Sequence, residues 1–271
     1  MSSNSRHTPY IAARLLALCI SAICGATADI TTNPTAPVYT AAGIVQAASL
    51  SGTLAPFSIA TIYGANLSYT TRAIGPGDLD AKVPPTSLDG VTVYLNGYAC
   101  ALTYLSPTQV NFIVPYDVTA TSALVDLVRD GLAGPEVRVP IATGAPGLFV
   151  WNANFVVAEH PDGSLISPDS PAHPGDYVVL FGTGLGRTSP DLTSGAVPVA
   201  AMPIRYLSQL QILLDGVACD PASIYYAGLT PGYFGLYQIN LKLPLSVNAN
   251  PQIQVTMGAQ VSPLSVHLYV Q

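Results

Sequence analysis

The chain can be laid upon itself. Leu95-Asn96-Gly97-Tyr98-Ala99-Cys100 matches Leu214-Asp215-Gly216-Val217-Ala218-Cys219, 119 positions on. Ile62-Tyr63-Gly64-Ala65-Asn66-Leu67 matches Leu180-Phe181-Gly182-Thr183-Gly184-Leu185 at a spacing of 118. Gln109-Val110-Asn111-Phe112-Ile113-Val114-Pro115 matches Gln238-Ile239-Asn240-Leu241-Lys242-Leu243-Pro244 at 129. Three matches in the same order mean a duplicated unit, and the change of spacing places an insertion of about ten residues in the second copy, around 225–236. The expected units are 42–150 and 151–271, each of ordinary size for one hydrophobic core.

Each copy reads as strands. Val91-Thr92-Val93-Tyr94-Leu95 is β-branched and aromatic and ends at Asn96-Gly97, a turn in which both central residues take positive φ. Asp215-Gly216 has the same role after Leu210–Leu214. Residues 136–141 alternate polar and apolar, as do 264–270, where a last strand is expected. Glycine (23) and proline (24) punctuate the chain too often for long helices, and the best helix candidate in the mature chain is a short piece near 200–209. The expected fold class is all-β, with two tandem β-sandwiches related by internal duplication.

Residues 1–28 read as a secretory signal peptide: Arg6 and Arg14, the apolar stretch 15–24, and Ala26-Thr27-Ala28 as a small-residue cleavage site. The apolar stretch is shorter than the roughly 20 residues that span a bilayer, and no membrane span is expected in the mature chain. The Thr-, Pro- and Ala-rich segment 29–41 reads as a linker. The protein is therefore expected to be exported: secreted, periplasmic or on the outer cell surface. Export leaves two cysteines, Cys100 and Cys219, in a compartment where one disulfide between them could persist; two buried thiols are the alternative.

Further residues carry a family resemblance. Gly43–Ser49, Tyr104–Asn111, Ala145–Phe149, Asp162–Leu165, Pro174–Asp176, Gly182–Gly186 and Ala227–Gly232 resemble the uncharacterised Solibacter-type C-terminal domain of secreted acidobacterial proteins. The resemblance covers about 42–271. It implies a pair of immunoglobulin-like folds similar to IPT/TIG domains, and brings no known reaction, ligand or catalytic residue.

Charged residues are only 9% of the chain, the net charge is −6, and Lys82 and Lys242 are the two lysines. No basic surface awaits phosphates, so nucleic acid is not an expected partner. The run Tyr177–Phe181 followed by Gly182-Thr183-Gly184-Leu185-Gly186 imitates a strand entering a dinucleotide loop. That fingerprint wants a third glycine at position 187, where Arg187 stands, and Pro190 opposes the helix that should follow. The glycines are expected to shape a bend, and no cofactor is expected. His160, Asp162, Asp169, His173 and Asp176 gather in a proline-rich loop; their spacing matches no calcium signature, and no metal site or catalytic set is expected. Tyr225, Tyr226, Tyr233, Phe234 and Tyr237 crowd the insertion. Tyr225, Phe234 and Tyr237 are expected to fill a core, leaving Tyr226 and Tyr233 as candidate ligand-binding aromatics. Trp151 is expected to pack between the units.

The leading expectation is an exported, non-catalytic module for adhesion, surface display or binding of an extracellular glycan or envelope protein. The alternative is an extracellular hydrolase built on the 160–176 loop. It requires His173, Asp176 and a serine within hydrogen-bond reach in a concave pocket.

Overall fold

A computed structural model describes residues 35–79, 83–152, 154–192, 196–263 and 265–271. The expected signal peptide, 1–28, lies outside the described residues. The protein is two tandem immunoglobulin-like β-sandwiches related by duplication. In the first, one sheet runs Val38–Gln46, Ile59–Ala65, Gln109–Ile113, Ala101–Leu105, Arg72–Ala73, and the other Val137–Pro140, Ser122–Arg129, Val91–Leu95, Tyr98–Ala99. In the second, Gly147–Leu148, Tyr177–Thr183, Tyr237–Lys242, Ile224–Leu229 and Met202–Pro203 repeat the first order. Val217–Ala218, Leu210–Leu214, Ile253–Met257 and Gln260–Val261 make its second sheet.

The repeated sequences are repeated contacts. Ile62 pairs with Val110, and their counterparts Leu180 and Ile239 pair in turn. The Gln-x-Asn matches form the same side-chain ladder: Gln109 Nε2 donates to Asn111 Oδ1 at 2.9 Å, and Gln238 Nε2 to Asn240 Oδ1 at 3.2 Å. Parallel bridges Leu54 with Ile141 and Ala172 with Val270 also correspond. Alternation sets the faces. Ala123, Val125 and Leu127 point into the first core, and Tyr237, Ile239 and Leu241 into the second. Each large apolar side chain so buried contributes about 1.5–3 kcal/mol.

Several expectations shift. The segment 29–41 is not all linker, because Val38 pairs with Ala65 and Tyr39 with Gly64. The Tyr39 hydroxyl donates to Pro135 O and accepts from Leu127 N–H, so this one aromatic draws the segment into the sheet. Gly147 and Leu148 pair with Thr183 and Gly182 on the second unit's sheet, although they precede position 151. The region 200–209 holds the short strand Met202–Pro203 and a 3-10 turn, Leu207–Gln209, rather than an α-helix. The inserted residues do not form one loop: part is the turn Pro221–Ser223 before Ile224–Leu229, and part the loop 230–236 after it. No continuous strand covers 264–270. Leu264 lies outside the described residues, and His267 and Val270 form isolated bridges while Val266, Leu268 and Val270 fill the core.

The junction between units is tightly built. Phe57, Ile59, Ile113 and Tyr116 of the first unit belong to the second unit's hydrophobic cluster. Fully buried Gln46 donates to Ala145 O at 3.0 Å and Thr183 O at 3.2 Å, while its Oε1 accepts from the Ala48 and Ser49 amides. The Tyr116 hydroxyl donates to Asp191 Oδ1 at 2.8 Å and accepts from Thr188 N–H at 2.9 Å. That hydrogen bond, together with Arg205 and Arg187, holds the Asp191 carboxyl below its usual range. Trp151 packs against the cluster that the two units share and lies edge-on to Tyr269 of the second unit, 6.0 Å between centroids. Among the described residues no helix is long and apolar enough to cross a membrane.

Candidate binding site

The glycine loop after Tyr177–Thr183 is a seat for protein backbone. A Cβ on Gly182 would stand 2.4 Å from Gly147 O; on Gly184, 2.0 Å from Ala145 O; on Gly186, 2.0 Å from Thr143 O. The connector 143–147 occupies the place a pyrophosphate would need, so these glycines serve the joint between units.

The 160–176 loop divides its polar groups. The Ser170 hydroxyl lies 3.3 Å from His160 Nε2, while Asp176 accepts from the His173 amide at 2.8 Å and stands 3.4 Å from His173 Nδ1. The serine and the aspartate are therefore on different histidines. Asp162 accepts from both the amide and the hydroxyl of Ser164, which hold its carboxyl low. The constellation His173, Asp176 and serine is not assembled. Among the described residues no three His, Cys, Asp or Glu side chains gather as metal ligands.

Cys100 and Cys219 are both free and buried, one in each unit's core, so no bond joins them.

The aromatic cluster is arranged differently from the expectation. Tyr226 is half-buried, with its hydroxyl accepting from Met202 N–H at 2.9 Å and donating to Leu229 O at 2.8 Å. Tyr233 is half-buried against the second core. Phe234 and Tyr237 are core residues, and Tyr237 donates to Gly186 O. Tyr225, expected inside, is 61% exposed. The cause is a bulge: Ile224 pairs with Leu241 and Tyr226 with Asn240, which leaves Tyr225 as the extra residue, turned outward. The first copy has the same bulge between Leu102 and Tyr104, where the extra residue is the buried Thr103.

Tyr225 meets Tyr177, itself 43% exposed, edge to face at 5.2 Å, and the hydroxyls are 3.4 Å apart. The Lys242 ammonium stands 5.4 Å from the Tyr177 ring centre and also lines an adjoining cleft of about 500 Å³. That cleft lies between the Leu210–Leu214/Val217–Ala218 hairpin and the loop 243–248. Asp220, Ser223, Ser246 and Asn248 supply polar groups, and Val217 and Leu245 apolar ones; Leu245 is 86% exposed. Asn248 is committed to Asp215 at 2.7 Å, and Asp220 to capping the Ala222 amide.

The repeat gives this surface a meaning. Gly175, Tyr177, Lys242 and Leu245 are the counterparts of Phe57, Ile59, Ile113 and Tyr116, the four buried apolar residues that the first unit contributes to the second unit's cluster. In the second unit the Phe and Tyr positions have become Gly and Leu, and an Ile has become Lys. In place of a filled apolar position there is an open cleft lined by Lys242 and Leu245, with the pair Tyr177 and Tyr225 beside the lysine. No residue pattern in the second copy alone marks this face; comparing the copies position by position does.

The sequence matches no family model and no curated protein. Among solved structures, it is similar to the surface glycan-binding protein PbSGBP-B from Prevotella bryantii, at 11% identity and TM-score 0.28, over 80% of this chain and 37% of that one. It is likewise similar to Bacteroides ovatus SGBP-B of the mixed-linkage glucan utilization locus, in complex with mixed-linkage heptasaccharide, at 12% and 0.33, over 81% and 43%. The tandem Ig repeats of Dlar follow at 12% and 0.22, over 88% and 95%. The chain thus spans less than half the length of either glycan-binding protein.

Proposed function

We propose that the protein is an exported, non-catalytic binding module that holds a carbohydrate chain at the cleft of its second sandwich. One observation carries the reading: where the first unit has the junction residues Ile113 and Tyr116, the second has Lys242 and Leu245 lining an open cleft, and the exposed pair Tyr177 and Tyr225 lies beside Lys242. Tyrosine faces stack on the C–H faces of sugar rings while their hydroxyls remain wet, and two rings locked edge to face lose little freedom on binding. Ser246 and the Lys242 ammonium make no hydrogen bond among the described residues, which leaves donors for sugar hydroxyls. A cleft of this volume lies within the range of small-ligand sites. Export by residues 1–28 and membership of the Solibacter-type family belong to the same proposal, supported by the motifs in the sequence.

The test uses mature protein 29–271 with cellohexaose, xylohexaose, mannohexaose and chitohexaose by titration calorimetry, and the corresponding polymers by affinity electrophoresis. At least one sugar should bind, and the double variant Tyr177→Ala/Tyr225→Ala should weaken it at least tenfold without changing thermal unfolding by more than a few degrees. Unchanged affinity in the double variant, or no binding to any of the four, rejects the reading.

A further inference from the structure

The first unit has a cleft in the same place. Its hairpin Val91–Leu95/Tyr98–Ala99 turns through Asn96 and Gly97 at φ 50° and 79°; the second unit's turns through Asp215 and Gly216 at 49° and 79°. In both units a proline-led loop follows the Gln-x-Asn strand, 115–120 in the first and 244–248 in the second. Between hairpin and loop the first unit holds a cleft of about 530 Å³. Leu95, Tyr98, Pro115, Asp117 and Thr119 line it, and their counterparts Leu214, Val217, Pro244, Ser246 and Asn248 line the other.

Resting on the carbohydrate reading above, we infer that this cleft is a second site for the same polymer, so that one chain grips a polysaccharide at two points. Tyr98 stands at its lip and is 73% exposed, among the most exposed large side chains of the protein. In the second unit Val217 stands at this position, and the exposed pair Tyr225 and Tyr177 lies beside the cleft's Lys242. Each cleft thus has an aromatic, placed by a different element. Asp117 and Thr119 are exposed, and their side chains make no hydrogen bond among the described residues, so both are free for sugar hydroxyls.

The two sites are not equal. Tyr116, the counterpart of exposed Leu245, is buried at the junction with its hydroxyl on Asp191. It lines a separate space of about 90 Å³ beside Cys100 and Phe234 instead of opening into the first cleft. The two clefts therefore differ in their lining rather than their size, about 530 and 500 Å³. The first site's effect comes through linkage: where one repeating chain reaches both clefts, the second contact is intramolecular, and polymer binds more tightly than either site alone.

The experiment takes whichever of the four hexasaccharides binds mature protein, with its polymer, and compares wild type, Tyr98→Ala and Tyr177→Ala/Tyr225→Ala. Tyr98 is exposed, and unchanged thermal unfolding verifies that its variant is folded. Wild type should bind two hexasaccharides per chain. Tyr98→Ala should bind one, with the remaining affinity unaltered, and its retention by polymer should fall at least tenfold. One hexasaccharide per wild-type chain, or polymer retention untouched by Tyr98→Ala, overturns the second site and leaves the first reading standing. Absence of binding to all four sugars overturns both.

Discussion

The Ile59 amide donates to the Thr183 hydroxyl across the junction at 3.0 Å, and that hydroxyl donates on to Gly235 O at 2.7 Å. Thr183 is fully buried, so water cannot replace either bond. Thr183→Val keeps the shape and strands a donor and an acceptor. A buried unsatisfied group costs about 1–3 kcal/mol. The variant should lose on the order of 2–4 kcal/mol in urea unfolding, and a loss below about 0.5 kcal/mol would show that the junction does not depend on this relay.

Gly184 and Gly163 have nearly the same backbone, φ +83° and +84°, but different surroundings. A Cβ on Gly163 meets nothing within 4 Å; on Gly184 it would press into Ala145 O. Alanine in the left-handed region alone costs about 1–2 kcal/mol. Gly163→Ala should cost about that much, and Gly184→Ala should cost at least about 2 kcal/mol more, because the connector must move. Equal losses would refute the assignment of the glycine loop to the joint.

The duplication, the sheets and the hairpin turns follow directly from sequence, since each depends on local alternation or on an Asn-Gly or Asp-Gly pair. The candidate site does not. Tyr225 is turned outward by one extra residue in its strand, and no periodicity records a bulge before pairing is known. The start of Val38–Gln46, residues 38–41, is concealed by Thr40 and the alanines after it, because its membership in the sheet depends on what Tyr39 reaches 96 positions away at Pro135. The glycines of 182–186 are visible as a run, but the carbonyls they accommodate come from 143–147.

Tyr225 and Tyr226 are neighbours with opposite duties. Tyr226→Phe removes a hydroxyl that joins Met202 N–H to Leu229 O. It should lower stability by about 1–2 kcal/mol, leaving sugar titrations unchanged. Tyr225→Ala should leave stability within about 0.5 kcal/mol and weaken binding. A reversal of these two patterns would return the site to Tyr226.

Glu159 is buried, and desolvation pushes its carboxyl from 4.5 up to about 7. Between those values the folded protein keeps a proton that the unfolded chain has released, so stability must fall as pH rises from 4.5 through 7. A difference of this size corresponds to on the order of 3 kcal/mol. Glu159→Gln is uncharged throughout and should flatten that slope, with urea midpoints at pH 5, 6, 7 and 8 as the measurement. A slope equal to wild type would place the titration elsewhere.

Burial pushes the Cys100 thiol up to about 12, with the Asp126 charge adding to it, and burial raises Cys219 as well. Thiolate is the reactive form, so neither sulfur should be alkylated by iodoacetamide in folded protein at pH 8. The two follow equivalent hairpins but lie in different cores, and a disulfide requires Cα atoms within about 7 Å. In urea without reductant, both should therefore gain a carbamidomethyl group, read by mass spectrometry of the mature protein. Two unmodified cysteines that become reactive only after reduction would mean that a bond had formed, and that the two cores are not separated as described. Rapid labelling of one thiol in native protein would instead show that its unit opens on the timescale of the reaction, since a thiol held this far above neutrality reacts only when water reaches it.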